Sequence, residues 1–282
     1  MEKLSEGYGL VEGPIWVPGK GLMFSDVLNG GVFCLDTDGS RSVIFQHRRG
    51  IGGMSLHENG GVIVSGRNIS WKSIPETETL TVLERDEAAG LVGFNDITTD
   101  SKGRVYAGGL GASPVFEDGR EPKSGDLYLI DLDGSVRVVA HDNRLSNGLA
   151  FSPDGNTLYY SDTRRQRVNC YEVSEDGSLG IRRTFFSVDE DSPDGLCVSE
   201  DGRVWVALAN GNGVGVYSPE GEFEQLIDIP QPMCTSVCFG GDDLTDLYIV
   251  SGSGGTGDNT GAVYKTKVEA KGLPVPLARI AL

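Results

Sequence analysis

Histidine is scarce in this chain. Only His47, His57 and His141 occur among 282 residues. None opens any of the repeated stretches described below, which argues against a His-rich zinc centre of the usual catalytic kind. Cysteine is equally uninformative as a reactive group. Cys34, Cys170, Cys197, Cys234 and Cys238 are odd in number and form no C-x-x-C pair. That pattern predicts reduced thiols in a cytoplasmic protein rather than a disulfide framework, and no histidine lies near enough to activate one. Long apolar runs are missing as well, so no membrane span is expected, and the opening "MEKLSEGYGL" is too polar for a secretory leader. Basic residues are outnumbered: 24 Lys and Arg against 41 Asp and Glu give a formal charge of −17. Phosphate backbones and anionic membranes therefore make poor partners, whereas cations do not. No window sustains a 3.6-residue apolar period, so almost no helix is expected.

What the chain has is a repeat. Apolar runs begin at residues 21, 60, 103, 156, 202 and 245, spaced by 39, 43, 53, 46 and 43 residues. Each is preceded by a shorter alternating stretch, and these open at Glu12, Gly52, Asn95, Asn147, Asp194 and Thr235. Hairpin dipeptides such as Asn59-Gly60, Asp154-Gly155 and Asp201-Gly202 separate the runs, and 41 glycines suit a turn-dense chain. A β pattern with a period near ~40–45 residues is the mark of propeller blades of about four strands. The expectation is one all-β domain over residues 1–282, a six-bladed β-propeller of four-stranded antiparallel blades around a central channel. Either terminus, "PLARIAL" or the first ten residues, could complete the sixth blade.

In such a fold the innermost strand of every blade lines the channel, so its opening residue stands at one mouth beside its counterparts. Glu12 and Asp194 then bring carboxylates, and Asn95 and Asn147 bring amide oxygens, to a common place. Oxygen donors of this kind suit one divalent ion: Ca²⁺ first, then Mg²⁺ or Mn²⁺, with Zn²⁺ also possible in an oxygen site. Two carboxylates converging without a cation would repel each other, and a bound ion removes that cost. Asp96 follows Asn95 and could either orient its neighbours or bond to the strand ends.

"EGPIW" from Glu12, Asn95-Asp96 ahead of "GRVYAGG", "SNGLAFSPDGNTLYYSDT" from Ser146 and "PDGLCVSEDGRVWVA" from Pro193 resemble the gluconolactonase/regucalcin (senescence marker protein) family, across essentially the whole chain. The resemblance implies a six-bladed propeller with one metal at the channel mouth, held by Glu12, Asn147 and Asp194, with Asn95 contacting substrate. Many members open lactones; others are described as calcium-binding regulators. Two departures stand out. Where the sugar-lactone hydrolases carry an arginine two residues before the substrate asparagine, this chain has Gly93, and "LGAS" (110–113) replaces a segment that commonly carries a carboxylate. Losing both polar groups points to a lactone or ester less polar than a sugar lactone, walled by Phe94, Leu110, Met54, Trp71 and Phe116.

The expected chemistry is metal-assisted ring opening of a small-molecule lactone, with Asp194 as general base or as the ligand that orients water. Segments 67–79 and 110–126 are candidate lids. Competing readings are a phosphotriesterase resembling diisopropylfluorophosphatase, with Asp194 as nucleophile, and a non-enzymatic calcium-binding or protein-interaction propeller. Oligomeric state is not legible in the residues.

Overall fold

The computed structural model describes residues 1–46, 48–114, 123–231, 233–254, 257–274 and 276–282. Six four-stranded antiparallel sheets form a ring. Their innermost strands are Val11–Val17, Met54–Leu56, Gly93–Thr99, Ser146–Phe151, Pro193–Val198 and Cys234–Gly240. Among the described residues the only helical element is a 3₁₀ turn, Thr163–Arg165. The Asp-Gly and Asn-Gly dipeptides act as the sequence predicts: Gly60, Gly155 and Gly202 adopt the positive φ that a tight hairpin requires.

Alternating strands place apolar residues on both faces of each blade, and the core is a series of wedges between neighbours. Between blades two and three, for example, Ile63, Ile69 and Trp71 pack on Phe94, Ile97, Val105 and Ala107. Between blades four and five, Phe186 stacks on Tyr217 with ring centroids 3.6 Å apart.

The N-terminus closes the ring. Glu2–Tyr8 pairs antiparallel with Gly261–Lys267 as the outermost strand of blade six. The C-terminal segment runs instead beneath the propeller, on the side of the hairpin turns. The Glu200 N–H donates to the Lys271 carbonyl, Ala278 N–H to Leu56, Arg279 N–H to Gly103 and Ala281 N–H to Leu132. Pro274, Pro276 and Leu277 thereby border a central cavity of about 800 Å³ whose walls include Ile15, Met54, Leu149 and Leu196.

The proposed first lid is partly regular structure. Ile69–Lys72 and Thr79–Leu83 are the third and fourth strands of blade two. Residues 115–122 of the second, including Phe116, lie outside the described residues.

Candidate active site

The four oxygen-bearing opening residues sit at register breaks. The ladder between first and second strands shifts between Glu12 and Ile15, Phe94 and Ile97, Ser146 and Leu149, and Pro193 and Leu196. A bulge at the same place in four blades turns these side chains out of the sheet and toward the axis. Small residues then let neighbouring blades close up. A Cβ added at Gly148 would lie 2.6 Å from the Asp194 carbonyl and 2.5 Å from the Leu196 nitrogen, and one at Gly52 would lie 2.3 Å from Asn95 Oδ1.

Asn95 and Asn147 meet directly, and Glu12 and Asp194 lie within electrostatic reach of each other. Asn95 Nδ2 donates to Asn147 Oδ1 at 2.9 Å and to the Ser146 carbonyl at 2.8 Å. Asn147 Nδ2 donates to Thr163 Oγ1 at 3.0 Å, and Thr163 Oγ1 donates to the Pro193 carbonyl at 2.8 Å, one residue from Asp194. Asn147 and Asp194 are 8% and 5% exposed. Burial, then the charges of Asp194 and Asp96, hold the Glu12 carboxyl well above the usual range. Burial and the Asp96 charge do the same to Asp194. Asp96 is itself pushed up to about 7 by burial, although its carboxylate accepts the Ile97 N–H at 2.8 Å. Three carboxyl groups therefore feel one another across the mouth.

Asp194 Oδ1 is buried and has no hydrogen-bond partner. A buried, unpaired carboxylate oxygen beside two other acids costs several kcal/mol (on the order of 1–3 or more for the missing bond alone), and a cation relieves both terms. The residues present thus fit a divalent ion: Glu12, Asp194 and the Asn147 amide oxygen supply hard donors. Among the described residues no three His, Cys, Asp or Glu side chains are grouped closely enough to form a metal site by themselves.

Among the described residues the expected apolar wall does not form; Phe116 lies outside them. Trp71 lies in the core between blades two and three, and its indole N–H donates at 2.9 Å to the Gly60 carbonyl in the hairpin turn at the opposite end of the blade. Phe94 is 1% exposed, edge-on to Tyr128 at 5.8 Å. Met54 faces the central cavity and the core of blades one and two. Only Leu110, last in its strand and paired with Gly93, stays near the mouth. The cause is alternation: a bulky residue next to an opening position belongs to the strand's packed faces, and sequence proximity to Asn95 says nothing about which way it points.

Thr163 escaped the sequence reading. Its signal is the "SDT" that ends the second strand of blade four, where a hydroxyl two residues past Ser161 reaches back to the first strand.

Residues 10–253 match the family model described as SMP-30/Gluconolactonase/LRE-like region. The chain is 34% identical to a 6-deoxy-6-sulfogluconolactonase of Pseudomonas putida, covering 95% of this chain and 94% of that one. It is 31% identical to regucalcin of Xenopus laevis, covering 96% and 95%. Among solved structures, a luciferin-regenerating enzyme superposes with a TM-score of 0.88 at 24% identity over 99% of both chains, which speaks to the fold. The chain belongs to the SMP-30/gluconolactonase/regucalcin family of six-bladed β-propellers.

Proposed function

We propose that the protein hydrolyses a lactone at the Glu12–Asn95–Asn147–Asp194 mouth with the help of one divalent cation, Ca²⁺ first among the candidates. The observation that carries the reading is the buried, unpartnered Asp194 Oδ1 among acids that raise one another's affinity for protons. Similarity to a sulfogluconolactonase of Pseudomonas putida and a pentonolactonase of Haloferax volcanii, 28% identical over 94% of this chain, supports the reaction class.

A cation held by Glu12, Asn147 and Asp194 would polarise the lactone carbonyl and offset charge on its oxygen. The chain's own residues do the rest. Asp194 takes the proton of the attacking water as the new C–O bond forms, a task suited to a carboxylate whose basicity burial has raised. When the ring C–O bond breaks, that proton passes to the departing alkoxide, leaving a hydroxy acid. Thr163 fixes which end of the Asn147 amide faces the mouth. Asn95 spans Ser146 and Asn147, so its own Oδ1 is left to orient substrate.

The test is Asp194→Asn, which keeps size and removes the base. Loss of about 10²-fold or more in lactone turnover, with circular dichroism unchanged, is expected. Full activity in that variant would refute the assignment. Turnover of phosphotriesters but not lactones would move the protein to the competing enzyme class, and cation binding without hydrolysis would favour the regulatory reading that the regucalcin relatives suggest.

A further inference from the structure

The net charge of −17 hides an opposite feature at the mouth. Among the described residues, the side chains of Arg49, Arg67, Arg144 and Arg164 have no hydrogen-bond or ion-pair partner, and all four stand on the face where the innermost strands open, Arg164 in the 3₁₀ turn and the others in loops. Most other cations of the chain are engaged: Arg104 with Asp100, Arg137 with Asp131, Arg165 with Asp142 and Asp162, Arg203 with Glu224, Lys271 with Glu200.

Arg67 is the best placed. The backbone of Gly66 is clamped to Phe94 by two hydrogen bonds of 2.7 and 3.2 Å, one residue from Asn95. A Cβ at Gly93 would come within 3.6 Å of the Arg67 Cα and 2.9 Å of the Gly66 carbonyl. The missing side chain at position 93 therefore makes room for a segment of blade two that carries an arginine. Arg48, half-buried, staples this segment on both sides of Arg67: its guanidinium donates to the Ser65 carbonyl at 3.3 Å and to the Asn68 carbonyl and Oδ1 at 3.0 and 2.9 Å. A Cβ at Gly66 would lie 3.8 Å from the Arg49 carbonyl, so Arg49 starts from the adjoining backbone. Glu84 accepts from the neighbouring Asn68 Nδ2 at 3.4 Å. Asp189, Glu190 and Asp191 lie on the other side of the mouth, ahead of Asp194, and Asp191 accepts the Ser192 and Asn210 N–H groups.

We infer that Arg67, seconded by Arg49, is an anion subsite that selects lactones bearing a negatively charged group away from the ring carbonyl: a carboxylate, sulfonate or phosphate. A planar guanidinium on a pinned loop recognises any of the three through paired N–H donors. The acids hold the cation that faces the carbonyl, and the arginines receive the far end of the molecule. This inference rests on the lactonase reading and names the substrate class of that site.

The experiment compares one neutral aldonolactone with the same ring carrying a distal carboxylate, sulfonate or phosphate, on the cation-loaded full chain. Wild type should favour at least one charged lactone by about ten-fold in kcat/KM, chiefly through KM, and lose that preference in high salt. Arg67→Gln should collapse the charged-to-neutral ratio by about ten-fold, and Arg67→Lys should restore part of it. Arg183→Gln, on the outer strand of blade four, changes the net charge equally and should leave the ratio alone. Calorimetry with the ring-opened hydroxy acids, with and without the distal anion, reads the subsite apart from turnover. Charge-dependent binding lost in Arg67→Gln but no hydrolysis would sink the lactonase reading and keep the subsite. Equal treatment of charged and neutral compounds in both measurements, or an equal loss on both in Arg67→Gln, overturns the subsite.

Discussion

At the scale of single residues, the site depends on groups that never touch substrate. Thr163 illustrates this: its hydroxyl accepts from Asn147 Nδ2 and donates to the Pro193 carbonyl, joining blades four and five at the mouth. Thr163→Val keeps the shape and removes both bonds. The Asn147 amide is then free to turn its nitrogen toward the mouth, and cation affinity should fall about ten-fold or more, read by calorimetric titration, with the fold intact. Unchanged affinity would show that Asn147 needs no support. Asp96 gives a second prediction. Its charge raises the carboxyl of Asp194, so Asp96→Asn should make Asp194 more acidic. If Asp194 is the base, the acidic limb of the pH–kcat/KM profile moves to lower pH in Asp96→Asn. A limb that stays put, or moves up, would separate Asp194 from the proton transfer.

At the scale of elements, the repeat was readable because the fold imposes the same burial at the same place in every blade. The second strands, such as Gly21–Asp26 and Val204–Leu208, are buried throughout and announce themselves as apolar runs. Glu2–Tyr8 is exposed or half-buried at every position but Tyr8, so it carries almost no apolar signal, and the sequence left the choice of closing terminus open. The equivalent strand positions of Glu12, Asn95, Asn147 and Asp194 were legible for the same reason as the blades. The apolar wall was misread because Phe94 and Trp71 obey strand alternation rather than nearness to a site residue. The arginine at the mouth was hidden because Arg67 reaches Gly93 from another blade. Close packing of the innermost strands has its own test. In Gly148→Ala the added methyl would meet backbone at 2.5 and 2.6 Å, which only movement of blade five could relieve. A loss of about 1–3 kcal/mol is expected, together with weakened cation binding, since the displaced segment carries Asp194. A variant as stable as wild type in chemical denaturation would mean that the two blades have slack.

At the scale of the whole molecule, the mouth trades stability for a charged site, and pH sets the terms. Asp96 titrates near 7 in the folded chain, against 3.8 when unperturbed, and Glu12 and Asp194 are also raised. Between those two values the folded state holds protons that the unfolded state has released, so raising pH favours unfolding. The metal-free protein should therefore lose stability as pH climbs from about 4 to about 7, by a few kcal/mol in all, since Asp96 keeps some contact with solvent in the cavity. A divalent cation reverses the trend. It binds the deprotonated carboxylates, so its affinity should rise with pH as protons leave Glu12 and Asp194. At a concentration about 100-fold above its Kd it adds roughly 2.7 kcal/mol to the folded state. The measurement is thermal unfolding in EDTA and in excess Ca²⁺ across this range: the gap in Tm between the two curves should be small at pH 5 and widest near pH 8. A gap that stayed constant, or narrowed toward alkaline pH, would mean that Glu12, Asp96 and Asp194 do not share their protons with the metal site, and the convergence of distant acids on a single cation would have to be abandoned.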